Sequence, residues 1–78
     1  MTVYDIVYID SSEYHDIYLR VFGNKEKAID TFVKKFNSLS LEYGTFEEEY
    51  DLKSLPHGNA WAWFGYDKRL YMRRIELD

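Results

Sequence analysis

Ala28, Ile29, Phe32, Val33 and Phe36 recur at steps of three and four between Lys25 and about Asn37. Such a stripe is one apolar face of an amphipathic helix. Asn24, just after Gly23, can cap its start. Lys27, Asp30, Lys34 and Lys35 fall off the stripe and should meet water. A helix of about thirteen residues can shield only one side of whatever it packs on. Most of the remaining chain reads as strand, so this helix must lie across one face of a sheet.

The strands follow from residue type and alternation. Residues 2–9 (TVYDIVYI) are β-branched and aromatic, as strands prefer. Val3, Val7 and Ile9 share one face and Tyr4, Ile6 and Tyr8 the other, so this strand is apolar on both sides. Asp10-Ser11-Ser12-Glu13 is a turn. Residues 14–22 return, with Ile17, Leu19 and Val21 on one face and Asp16, Tyr18 and Arg20 on the other. Residues 60–65 and 69–77 form a second hairpin about a tight turn at Tyr66-Asp67-Lys68. Trp61 and Trp63 share a face there, opposite Ala60, Ala62 and Phe64. Between helix and second hairpin, Thr45 and Glu48 have capping-box spacing, which favours a short helix over about 46–54. Phe46, Tyr50 and Leu52 share parity, which favours a strand instead. Leu55-Pro56-His57-Gly58-Asn59 is a loop. The expected fold is a single α+β domain over residues 1–78: an antiparallel sheet of about four strands in two hairpins, with one helix on one face. The element order is β-β-α-(short α or β)-β-β.

Seventy-eight residues suffice for one small domain. Eight Tyr, five Phe and two Trp supply large buried areas to a chain of marginal size. The absence of cysteine excludes disulfides and thiolate zinc sites. The N-terminal segment has no basic and apolar signal pattern, and no stretch approaches a membrane span. The expected location is the cytoplasm, and no cofactor or metal is expected.

Four candidate surfaces can be read from the residues. First, the sheet face without a helix should display Tyr14, Tyr18, Trp61 and Trp63, residue types that anchor interfaces. Residues 38–59 could instead fold back over that face, or two copies could pair through it as a homodimer. Second, charge is uneven: residues 1–22 carry −3, 23–40 carry +2, 41–59 carry −4 and 60–78 carry +1. Asp10, Glu13 and Asp16 make one acidic set, and Glu42, Glu47, Glu48, Glu49 and Asp51 a larger one. If the two adjoin, they form a patch fit for a basic groove. The plain alternative is a solvated face that keeps the protein soluble. Third, Arg20, Lys68, Arg69, Arg73 and Arg74 accompany Tyr18, Trp61, Trp63 and Tyr71, as in binders of single strands. A net charge of −4 and the opposite facing of Arg73 and Arg74 argue against direct nucleic-acid binding. Fourth, catalysis has little support. His15 and Asp16 face opposite ways on a strand, and His57 has no evident partner.

The segment Val21-Phe22-Gly23-Asn24-Lys25-Glu26-Lys27-Ala28 leads into the helix, after a Tyr-rich hairpin. The chain closes on an aromatic strand and Ile75-Glu76-Leu77-Asp78. In this pattern the chain resembles small acidic phage and mobile-element proteins of the anti-CRISPR and anti-restriction inhibitor type. The resemblance implies a non-enzymatic inhibitor or modulator in the host cytoplasm. Its partner would be a host protein, a nucleic-acid-handling defence complex being one candidate. The quoted motifs are structural and carry over no site residue. With −4 net charge and ten basic residues, the chain departs from the strongly acidic DNA mimics of that type. The residues themselves nominate the contact set: Glu47, Glu48, Glu49 and Asp51 to meet basic groups, and Tyr50, Trp61, Trp63 and Tyr66 as apolar anchors.

Overall fold

The computed structural model describes residues 1–13 and 15–78 and, of His15, the backbone alone. The elements run β1 (Thr2–Asp10), β2 (His15–Phe22), α1 (Lys25–Tyr43), β3 (Tyr50–Asp51), β4 (Ala60–Phe64) and β5 (Lys68–Glu76). One-turn 3₁₀ helices at Glu47–Glu49 and Leu55–His57 flank β3. The strands form one antiparallel sheet in the order β2-β1-β5-β4-β3. The fold is therefore α+β with five strands. The sequence reading of about four lacked the two-residue β3.

β1 and β5 meet at the middle of the sheet, pairing from Thr2↔Glu76 to Asp10↔Lys68. That position explains why β1 is apolar on both faces. One face receives the helix: Tyr4, Ile6, Tyr8, Val21, Ala60, Ala62, Phe64, Leu70 and Met72 pack with Ala28, Phe32 and Leu39 of α1. Phe32, Phe64 and Leu70 are fully buried. Phe36 bridges the layers, its ring 5.6 Å from Phe64 and 5.7 Å from Tyr50, edge to face in both cases.

Asn24 caps α1 as expected, its side chain accepting from the Lys27 amide at 2.9 Å. The helix runs six residues past the expected end at Asn37. Asn37, Ser38 and Ser40 are poor helix formers, but Leu39 continues the buried stripe and tertiary packing prevails. Gly44 ends the helix, its N–H bonded to the Ser40 carbonyl.

Residues 46–54 follow neither expectation fully. Glu47–Glu49 make a single 3₁₀ turn, and Thr45 supplies no side-chain cap. Tyr50 then turns extended, φ −151°, which places its ring against Phe36 and its backbone beside Ala62. Three residues of polar helix bury nothing, whereas Tyr50 in a strand joins the core. No helix among the described residues is long and apolar enough to cross a membrane.

Candidate functional site

The helix leaves the second sheet face bare. Residues 38–59 do not cover it. Residues 38–43 extend α1, β3 joins the edge of the sheet, and Leu52 and Leu55 pack on the helix side. The alternative in which this segment folds back over the aromatics is therefore corrected. Its apolar side chains Tyr50, Leu52 and Leu55 pack against the helix-side core instead.

Strand register sets the open face in transverse rows. Trp61, Tyr71, Val7 and Tyr18 form one row across β4, β5, β1 and β2. Trp63, Arg69, Ile9 and Asp16 form the next on one side, and Arg73, Asp5 and Arg20 lie on the other. Tyr14, expected beside Tyr18, lies outside the described residues. The two indoles lie 5.2 Å apart, and the Arg69 guanidinium sits 5.1 Å over Trp63. Such stacking on a partly exposed ring contributes on the order of 0.5–1 kcal/mol. A groove of about 290 Å³ runs between Tyr18 and Tyr71, floored by Val7 and walled by Asp5 and Arg73.

Asp5 governs the charge of this face. It is a buried carboxylate within an apolar strand, held by Arg20 through Nε (2.7 Å) and Nη2 (2.9 Å). Arg20 Nη2 also donates to the Tyr18 hydroxyl at 2.9 Å. The Arg20 hydrogen bonds hold the Asp5 carboxyl below the usual range against the opposing effect of burial, and Asp5 in turn pushes the Arg20 guanidinium up. Arg73, its β5 neighbour, adds to the depression. Arg20, Arg73 and Arg69 thus share the face with Asp5, Asp16 and Asp51, so no net positive footprint arises there. Lys68 and Arg74, also expected in a basic set, have the parity of the helix-side face.

The expected contact residues divide. Glu47, Glu48, Tyr50, Asp51 and Trp61 come together around one shallow hollow of about 590 Å³ beside β3, completed by Leu52 and Lys53. The 3₁₀ turn presents the glutamates, and the pairing Asp51↔Trp61 sets carboxylate beside indole. Asp51 Oδ1 accepts from the Lys53 amide at 2.9 Å, which fixes that side chain in place. Glu49 does not line the hollow. Trp63 lies two residues along β4, and Tyr66 stands fully exposed at the β4–β5 turn. Leu52 and Lys53 follow β3 directly in sequence and were missed because the hollow they line forms only when β3 pairs with β4. Asp5 was missed too, although a lone acid inside TVYDIVYI was itself a signal.

The two acidic sets do not merge. Asp10 and Glu13 lie at the β1–β2 turn and Glu47–Glu49 at the opposite edge of the sheet. Of the larger set only Glu42, in the last turn of α1 beside Tyr43, lies on the Asp10 side, where Lys68 sits between Tyr43 and Asp10. Asp10 is also buried, its carboxylate accepting from the Ser12 hydroxyl (2.6 Å) and amide (3.1 Å) with Lys68 at 4.0 Å. These contacts hold its carboxyl below the usual range, the Ser12 hydroxyl chief among them. Asp10 builds the turn and offers little to a partner.

No protein-family model, curated protein or solved structure matches this chain.

Proposed function

We propose that this chain is a protein-binding module, an inhibitor or modulator of the small phage-encoded kind, which docks on a basic surface of a host protein and blocks it sterically. The observation that carries this reading is the hollow beside β3. Glu47, Glu48 and Asp51 line it together with Tyr50, Leu52 and the Trp61 indole, and Lys53 is the one cation of its lining. Acids around a hollow with apolar walls suit a Lys or Arg side chain, whose charged head and apolar stem need both. A nucleic-acid-handling complex is one class of host protein with such a surface. Nuclease-treated bacterial lysate tests the reading. The tagged wild-type chain should capture a partner that Glu47→Lys/Glu48→Lys/Asp51→Lys loses and Asp30→Lys keeps. Equal capture by all three chains would remove the hollow from consideration.

A second reading is supported by the bare row of Trp61, Tyr71 and Tyr18 with Arg69 and Arg73 beside it. Sheet-borne aromatics with arginines stack single-stranded bases. Fluorescence anisotropy with labelled oligonucleotides at low salt decides it, and absence of binding there ends it.

A further inference from the structure

We infer that a second copy of this chain docks along β2, joining two sheets edge to edge into one of ten strands. The two outer strands of the sheet differ sharply. β3 is two residues long and flanked by 3₁₀ turns, so it offers little to pair with. β2 is eight residues long, carries no Pro or Gly, and has no strand on its outer side among the described residues. Apart from the buried Val21, its apolar side chains stay half exposed on both faces: Ile17 44%, Leu19 44%, Tyr18 57% and Phe22 62%.

The backbone shows which groups are free. Gly23 N–H donates to the Thr2 carbonyl at 2.9 Å, continuing the register in which Val3 faces Phe22. Bonded and non-bonded pairs alternate along an antiparallel ladder. The odd-numbered residues of β2 therefore turn their N–H and C=O groups toward β1. Those of Asp16, Tyr18 and Arg20 point outward, with no partner strand among the described residues.

Side chains then choose the partner. Asp16-Ile17-Tyr18-Leu19-Arg20 is complementary to its own reverse. A two-fold axis through Tyr18, normal to the sheet, sets Asp16 of each copy opposite Arg20 of the other. It sets Ile17 opposite Leu19, and Tyr18 opposite itself. Asp16, Tyr18 and Arg20 are then the hydrogen-bonded pairs, so the outward backbone groups and the opposite charges are satisfied together. Arg20 has room for the second carboxylate, because its hydrogen bonds among the described residues leave from Nε and Nη2 alone. Moving the axis to Leu19 would set Asp16 against Phe22 and Arg20 against Tyr18, losing both ion pairs. On the helix side, an apolar groove of about 150 Å³ between α1 and β2, lined by Ile6, Tyr8, Ile17, Leu19, Thr31 and Lys35, is roofed by the same Ile17–Leu19 pairs. This interface is the sheet edge. It leaves the aromatic face and the hollow beside β3 open in both copies.

Sedimentation equilibrium from about 1 µM to about 1 mM should show a monomer–dimer equilibrium in that range. Asp16→Arg sets like charges opposite each other and should raise the dissociation constant about tenfold or more. Register is read by thiol cross-linking, which is clean in a chain without cysteine. An Ile17→Cys chain mixed with a Leu19→Cys chain puts the two introduced thiols in a non-bonded pair, Cα atoms about 4.5 Å apart, within disulfide reach. The mixed dimer should form faster than either self-dimer. A strict monomer, a dimer indifferent to Asp16→Arg, or a dimer without preferential mixed cross-linking overturns the proposal.

Discussion

Gly58→Ala should cost far more stability than an alanine at a second left-handed glycine, Gly23, and the difference can be worked from local geometry. Gly58 ends the 3₁₀ turn at Leu55–His57 with φ +85° and ψ 21°. Its neighbour Asn59 accepts from the Arg74 amide through its side chain, which aligns β4 on β5 and so places Trp61. A Cβ at position 58 would collide with the Tyr4 ring, at Cε1 and at Cδ1 (2.7 Å), and would sit 3.4 Å from Arg74 Cβ. Tyr4 is 5% exposed and packed in the core, so its ring cannot swing into solvent. Gly23 has φ +63° with nothing within 4 Å of an added Cβ. Positive φ alone costs an alanine about 1–2 kcal/mol, and overpacking adds about 1–3 kcal/mol. Gly58→Ala should therefore lose about 3 kcal/mol, a fall in Tm of roughly 12–24 °C for a domain of this size. Gly23→Ala should lose about 1 kcal/mol and roughly 5 °C. Urea melts with matched m-values, at a concentration low enough to hold one association state, give both numbers. Equal losses for the two variants would refute the reasoning, because the crowding of an added Cβ at position 58, chiefly by Tyr4, is what separates them.

Further outcomes follow from the buried ionisable groups. The Asp5 carboxyl is depressed below its ordinary value of 3.8, chiefly by Arg20. Its contribution to stability is present above the unfolded-state pKa and lost as pH falls through the folded one. Asp5→Asn should therefore flatten the acid limb of a Tm-versus-pH curve below about pH 4, and an unchanged limb would show that Asp5 is not depressed. Tyr8 behaves oppositely: burial pushes its hydroxyl up to about 12, with Asp10 adding to the effect. The unfolded chain ionises there at about 10 and the folded chain does not, so stability falls as pH rises between the two. Tyr8→Phe should hold its Tm better over that interval, and equal alkaline slopes in the two proteins would contradict the assignment.

Much of the fold was legible because its two strongest signals are periodic. Period-two alternation placed Trp61 and Trp63 opposite Ala60, Ala62 and Phe64, and the apolar stripe with Asn24 placed α1. The two departures share a cause. Leu39 and Tyr50 take their conformations from the core they enter, and no local propensity of Asn37–Ser40 or Glu47–Glu49 encodes that. The site was partly legible for the same reason. Glu47, Glu48, Asp51 and Trp61 are brought together by the pairing of β3 with β4, a contact between distant segments. Asp10 appeared as one acid among several, but its burial and its bonds to Ser12 make it part of the turn. The even balance of Arg20, Arg69 and Arg73 against Asp5, Asp16 and Asp51 emerges only once strand register sets them on one face.

The central claim is that the hollow beside β3 receives a basic group, and the two tryptophan indoles report on it most directly. A ¹⁵N-labelled chain titrated with a short arginine-rich peptide, up to millimolar concentration at low salt, should show saturable shifts at the Trp61 indole and at the amides of residues 47–53. Those shifts should weaken with added salt and vanish in Glu47→Lys/Glu48→Lys/Asp51→Lys. Shifts confined to Tyr18, Tyr71 and Arg73, or none at all, would contradict the claim and move the binding surface to the bare face of the sheet.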